Sequence, residues 1–296
     1  MVKIKTLFTD DVDEDGEDQT LVVRARAGER AALEALVRRH QAWIYNIAVR
    51  MLGHRHDAED ATQEILIKTL TRLGSFEGRS LFRTWLYRIV VNHVLNMKRG
   101  RLERESLTFG CYGHGLDAAP DLDLPDETAA GADVRLLVDE ARLGCTSGML
   151  LCLERDQRLV YILGEIFGLS DALGAELLDT TRDNFRQRLA RARRDLHSFM
   201  NDRCGLVDAT NPCRCAKKTR GFIQAGYVDP LNLLFARERV RHVHEIVPRA
   251  ADALSTLDAR CAAIFREHPF HDSPDLVPAL RQLLATPEFT RATDVS

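Results

Sequence analysis

Between residues 19 and 99 the apolar positions recur every three to four residues, and no stretch alternates at every second one. In "ERAALEALVRRHQAWIYNIAVRML" the stripe is Leu33, Leu36, Val37, Ile44, Ile47, Ala48 and Met51, which predicts a long amphipathic helix. "GHRH" (Gly53 to His56) breaks it. The next helix is predicted to start at Asp57, a good N-cap residue, and to run to about Leu73. Its apolar stripe is Ala61, Ile65, Leu66 and Leu70. "GSFEGRS" (Gly74 to Ser80) reads as a turn. The helix after it, "LFRTWLYRIVVNHVLNMKR", places Phe82, Trp85, Leu86, Ile89, Val90, Val94 and Met97 on one face. Arg83, Thr84, Tyr87, Arg88, Asn92 and Asn96 fall on the other.

The pattern then changes. Residues 101 to 131 are rich in Gly, Pro and Asp without a period, and read as a linker. Helical spacing resumes near Ala132 and continues to Met200. Within it "GLSDALGAELLDTTRDNFRQRLARARRDL" breaks at Asp179–Thr181, giving helix, turn, helix. A loop with three cysteines follows, and the rest is helical again between prolines. The first 18 residues read as a disordered acidic tail. The expected fold is all-α. It has a helical domain over 19–100, a linker over 101–131, a helix-turn-helix domain over 132–203, and a Cys-containing loop with a helical extension over 204–296. No internal repeat is found.

Composition narrows the class. The 296 residues are 45% hydrophobic and 29% charged, as in an ordinary globular protein. The net charge of −3 hides an uneven distribution, with "DDVDEDGED" (Asp10 to Asp18) acidic and "RQRLARARR" (Arg186 to Arg194) basic. No apolar run approaches the ~20 residues that span a membrane, and the N-terminus lacks a signal peptide's pattern. Seven cysteines, an odd number in a long chain, do not suggest a secreted disulfide scaffold. A cytoplasmic protein is expected. No nucleophile–base constellation, phosphate loop or catalytic metal motif is found, so no enzymatic activity is expected.

Two segments suggest nucleic acid. A helix from about Arg182 to Leu196 would bury Phe185, Leu189 and Ala192 at i, i+4 and i+7 and present Arg186, Gln187, Arg191 and Arg194. Gln bonds adenine bidentately, and Arg bonds guanine or phosphate; a solvated basic face would show the same pattern. "SFEGRSLFRTWLYRIVVNHVLNMKR" combines aromatics, a glycine turn and cations, the composition that holds unstacked bases, although Phe82 and Trp85 read better as core. Beside it "DAEDATQEILIKTL" carries Asp57, Glu59, Asp60 and Glu64. Carboxylates repel phosphates, so this helix fits a protein partner.

These stretches, in this order, resemble the extracytoplasmic-function branch of the bacterial sigma-70 family. "DAEDATQEILIKTL" resembles its polymerase-binding helix, and "FEGRSLFRTWLYRIVVNHVLN" the segment that melts and reads the −10 element. The helix-turn-helix aligns without gaps to the −35 reader. The resemblance covers residues 19 to 100 and about 132 to 200. It implies a promoter-specificity subunit that binds core polymerase, recognises both elements and promotes DNA opening. Asp57, Asp60, Gln63 and Glu64 would meet the β′ clamp helices. Phe76, Arg79, Ser80, Arg83, Arg88 and Asn92 would serve the −10 element, and the loop from Phe76 to Arg83 would hold a flipped base. Arg182, Asn184, Arg186, Gln187 and Arg191 would read the −35 duplex. The implied partners are core polymerase, through its β′ clamp helices and β flap, promoter DNA, and an anti-sigma factor or other regulatory protein. Gly174 and Thr180 stand where the family has hydrophobic residues, and Asp179 where it has a turn glycine.

"CGLVDATNPCRC" brings Cys204, Cys213 and Cys215 into one loop. With a fourth ligand from His197, Cys152 or Cys145 they would form a structural zinc site; three free thiols are the plain alternative. Near Lys217 and Lys218 exposed thiolates would be reactive. The tail after Lys217 is either a small add-on packed on the second domain or a regulatory element. As a regulator it would hold the DNA-binding parts shut, replace an anti-sigma protein, or bind polymerase or another partner. His242, His244, His268 and His271 are expected at the surface. The competing function is a stand-alone helix-turn-helix regulator, metal- or thiol-responsive, which leaves the acidic helix without a role.

Overall fold

The computed structural model describes residues 12–98, 107–122, 132–233, 257–266, 271 and 273–284. Among these, the only β contact is an isolated bridge between Cys204 and Cys213, and the fold is all-α as expected. The chain divides into two units, one drawn from residues 1–100, 168–184 and 273–296, the other from 101–167 and 185–272.

The first unit is built on α1 (Val12–Arg26), α2 (Arg30–Leu52), α3 (Arg55–Thr71) and α4 (Phe82–Asn96). Their stripes interlock around Ile44, Ile47, Ile65, Leu86 and Val90, all fully buried. Gly53 ends α2 in the left-handed conformation (φ 68°), its N–H closing on the Val49 carbonyl at 2.8 Å. His54 caps α3 by accepting from the Asp57 N–H, so Asp57 lies in the first turn rather than at the cap. There its carboxylate faces the positive end of the helix dipole.

The acidic tail needs correction. From Val12 the chain is helical, and Asp18 is buried. Its carboxylate accepts from Arg39 Nε at 2.8 Å and lies 3.1 Å from His40 Nε2. Trp43 Nε1 donates to the other His40 nitrogen at 3.0 Å, which leaves the imidazole proton on Nε2, directed at Asp18. Trp43 stacks on Tyr87 of α4, ring centroids 4.2 Å apart. Tyr87, expected on the outer face of α4, is therefore core.

The second unit comprises α5 (Phe109–Ala118), α6 (Ala132–Leu151), α7 (Arg155–Tyr161) with a π-helical turn (Ile162–Ile166), most of α9 (Arg182–Arg203), α10 (Cys215–Gln224) and α11 (Leu257–Arg266). Leu143, Tyr161, Leu196, Met200 and Phe265 form its core. Helix α5 lies inside the expected linker, and one of its glycines is a packing position. A Cβ on Gly113 would stand 3.0 Å from the Arg203 guanidinium, and one on Gly148 of the facing α6 would stand 2.7 Å from the Tyr112 hydroxyl. The rest of the expected linker lies outside the described residues, apart from short flanks of α5.

Two pieces of the tail are described. Helix α11 supplies Cys261, Ile264 and Phe265 to the second unit's core. Helix α12 (Val277–Leu284) belongs to the first unit, where Arg281 pairs with Glu34 of α2 at 2.6 Å and Gln41 accepts from the Leu276 N–H. His271, expected at the surface, is buried. His242, His244 and His268 lie outside the described residues.

Candidate nucleic-acid and protein interface

Helix α3 separates its two chemistries by face. Ala61, Ile65, Leu66 and Leu70 are buried, while Asp60 and Glu64 are exposed and Asp57 and Gln63 half-buried. Positions 57, 60 and 64 share one side of a helix. Lys68 Nζ donates to His93 Nδ1 at 2.7 Å, and His93 Nε2 stands 3.8 Å from Glu64. Burial first, then the Lys68 charge, lowers the His93 pKa against the pull of Glu64, which keeps the ring neutral.

The loop before α4 hangs on aromatics. Phe76, Phe82 and Trp85 cluster with centroids 5.4–5.6 Å apart, and Arg26 donates to the Phe76 carbonyl at 3.2 Å. Phe76 is 3% exposed, so its ring supports the loop from behind instead of facing a ligand. Gly78 takes a positive φ of 71°, and the turn it makes leaves Arg79 exposed beside its partner Glu77, with Ser80 half-buried. Leu81 is 55% exposed at the N-cap of α4. Periodicity could not single it out, because it lies one residue before the helix. Arg83 is half-buried near Tyr87; Arg88 and Asn92, one turn apart, are exposed.

In the helix-turn-helix, α8 (Asp171–Leu177) begins at Ser170, whose hydroxyl accepts from the Leu173 N–H. Asp179 sits at φ 48°. A short polar side chain tolerates this conformation, which explains how Asp replaces the expected glycine. Thr181 accepts from the Asn184 N–H, and the Asn184 amide donates to Thr180 Oγ1 at 2.8 Å. Thr180 thus anchors the turn by a hydrogen bond, and the Asn184 side chain is held in that turn. Arg182, Arg186, Gln187 and Arg191 are exposed, whereas Phe185 and Ala192 are buried and Leu189 half-buried, as the stripe predicted. Helix α8 lies in the first unit, where Glu176 pairs with Arg88 at 2.7 Å.

Helix α9 runs on to Arg203, so Cys204 follows it directly. His197 is not directed to the cysteines. It lies buried between the Tyr161 hydroxyl at 3.2 Å and Asp258 at 3.1 Å. The expectation of reactive thiolates is also corrected. Burial raises Cys204 and Cys213 above the usual thiol value and pushes Cys215 up to about 12, so without a ligand these groups are protonated thiols near neutrality. No described helix is long and apolar enough to cross a membrane.

Comparison with known proteins agrees with this arrangement. The family model "Sigma-70 region 2" matches residues 36–103, which contain α3, the aromatic loop and α4. RNA polymerase sigma-H factor of Pseudomonas aeruginosa is 31% identical over 182 residues, 60% of this chain and 90% of that one. The ECF RNA polymerase sigma-E factor of Escherichia coli (strain K12) is 30% identical over 181 residues, with the same coverages. The ECF sigma factor SigE of Mycolicibacterium smegmatis is 30% identical over 65% of this chain and 73% of its own. Among solved structures, CnrH in complex with the cytosolic domain of CnrY covers 62% of this chain and 97% of that chain at 23% identity and a TM-score of 0.43. The acidic face of α3, the aromatic loop and the cation-bearing helix thus lie in a sequence shared with such factors over most of their length, and the chain belongs to the extracytoplasmic-function sigma factors of the sigma-70 family.

Proposed function

We propose that this chain directs RNA polymerase core to promoters through three surfaces and performs no catalysis itself. Asp57, Asp60, Gln63 and Glu64 dock on the clamp helices of the β′ subunit, an ionised face meeting a basic helix. The loop bearing Arg79, Ser80 and Leu81 captures a base of the −10 element. Phe76 and Phe82 hold that loop rigid, and the exposed Leu81 supplies an apolar edge beside the base. Arg83, Arg88 and Asn92 follow the adjoining strand. Arg182, Arg186, Gln187 and Arg191 enter the −35 major groove, with Asn184 fixing the turn, and the helix-turn-helix unit contacts the β flap. The observation that carries this reading is the single face of α3 on which Asp60 and Glu64 are exposed while its opposite stripe is buried.

The test is co-purification with core polymerase. Asp60→Lys combined with Glu64→Lys changes only exposed positions, so the chain should fold and lose polymerase binding. Unchanged binding by the folded double variant would overturn the docking assignment.

A further inference from the structure

Helix α3 carries Glu64 and Lys68 four residues apart, the spacing at which a glutamate and a lysine ordinarily pair on a helix surface. Among the described residues the Lys68 ammonium meets His93 of α4 instead, its Nζ donating to Nδ1 at 2.7 Å. An ammonium only donates, so Nδ1 accepts and the proton of the neutral ring sits on Nε2. The Glu64 carboxylate stands 3.8 Å from Nε2, beyond hydrogen-bonding distance. Nε2 is buried and bonds no partner among the described residues. The His93 side chain is 4% exposed, whereas that of Glu64 is 63% exposed. A buried N–H without an acceptor is costly and rare in folded proteins, and the acceptor that could satisfy this one lies on the face of α3 that carries Asp57 and Asp60. No three His, Cys, Asp or Glu side chains among the described residues could hold a metal ion, the cysteines of the 204–215 loop included, so hydrogen bonding is the chemistry open to His93 and Glu64.

We propose that His93 is a positioning residue for polymerase docking: it draws Lys68 away from Glu64 and, in the complex, donates its Nε2 hydrogen to the Glu64 carboxylate. This rests on the reading that the exposed face of α3 meets polymerase. In the free chain water solvates Glu64 and competes for its oxygens. A docked partner removes that water, and a hydrogen bond to a charged oxygen strengthens as water leaves. Closing from 3.8 Å to about 2.9 Å needs only rotation of the exposed Glu64 side chain. The carboxylate keeps its charge, since His93 is neutral and Lys68 is engaged by the ring, and its second oxygen is free to meet a cation of the partner. The contact also joins the docking helix to α4, which presents Arg88 and Asn92.

Binding of the full chain to core polymerase is titrated by fluorescence anisotropy in a double-mutant cycle, with circular dichroism showing which variants fold. His93→Leu should weaken binding about 5–20-fold in the parent chain but by less than about twofold in Glu64→Ala, where the acceptor is already gone. His93→Gln should stay within about threefold of the parent, because its amide oxygen accepts from Lys68 as Nδ1 does and its amide nitrogen donates as Nε2 does. Should His93→Leu not fold, His93→Asn decides: its shorter amide accepts from Lys68 without reaching Glu64, so it should lose binding as His93→Leu does. Equal losses in the parent and in Glu64→Ala overturn the assignment. So does parent-like binding by folded His93→Leu or His93→Asn, or a His93→Gln chain as weak as His93→Leu. A Glu64→Ala chain that binds as the parent does removes Glu64 from the docking reading and this role of His93 with it. A weakened Glu64→Ala chain with no coupling to His93 overturns the role of His93 alone.

Discussion

Replacing Asp18 with Ala should destabilise the first unit by about 2–4 kcal/mol. The side chain is 1% exposed and accepts from Arg39 Nε at 2.8 Å and His40 Nε2 at 3.1 Å. A hydrogen bond to a charged group contributes roughly 1.5–3 kcal/mol. The Arg39 share is discounted because that guanidinium reaches solvent and also meets Glu17. The His40 share is not, since the ring is buried and its other nitrogen is held by Trp43. Asp18→Asn keeps the shape and loses only the charge, so it should cost less. Glu17→Ala removes an exposed partner of the same arginine and should cost under about 1 kcal/mol. Burial acts to raise the Asp18 pKa, but the hydrogen bonds from His40 and Arg39 and the Arg39 charge outweigh it and hold it below the usual carboxylate range. A lowered folded value means that the stabilisation is complete above the unfolded pKa. It is lost as pH falls below about 4 toward the folded value, and that acid-side slope should flatten in Asp18→Asn. Urea unfolding followed by circular dichroism measures each variant. An Asp18→Ala chain within about 0.5 kcal/mol of the parent would refute the docking of α1.

Three further outcomes are expected. Asp179→Gly should raise urea stability by up to about 1 kcal/mol, and Asp179→Val should lower it by about 1–2 kcal/mol, because φ 48° is strained for a β-branched residue. Arg186→Ala and Arg191→Ala, in complex with core polymerase, should weaken −35 duplex binding; where the lost contact was to phosphate, the salt slope read by fluorescence anisotropy should fall by about one. A chain ending before residue 257 should lose cooperative unfolding of the second unit and bind a hydrophobic dye. Burial of Ile264 and Phe265 alone contributes about 3–6 kcal/mol, comparable with the ~5–15 kcal/mol of a whole domain.

Periodicity reached the faces of α3 and α9 because each has its apolar residues on one side and its polar residues on the other. The stripes Ala61–Ile65–Leu66–Leu70 and Phe185–Leu189–Ala192 are buried or half-buried, so the exposed carboxylates and cations fell into place with them. It failed where burial depends on a partner distant in sequence. Asp18 looked like tail because the groups that hydrogen-bond it, Arg39 and His40, lie on the next helix. Tyr87 looked polar because its hydroxyl was counted and its ring, stacked on Trp43, was not. Gly113 looked like linker because small size suits loops and close helix packing equally.

These failures share one consequence for how the chain works as a promoter-specificity subunit. The residues assigned to DNA and polymerase lie on helices whose inner faces are fixed by polar contacts as well as by apolar ones. Asp18 holds His40, His40 holds Trp43, and Trp43 stacks on Tyr87 in the helix that presents Arg88 and Asn92. Thr180 and Thr181 likewise fix the start of the helix that presents Arg186 and Gln187. A buried hydrogen bond is directional where apolar contact is not, so these chains set the rotation of each helix about its own axis. That rotation decides which side chains face the ligand. A substitution that preserves apolar volume but breaks such a chain should therefore impair promoter binding out of proportion to its effect on stability. The extension belongs to the same logic: α11 completes one core and α12 packs against α2, so its regulatory reading is tested by Arg281→Glu, an exposed pair with Glu34, and not by truncation.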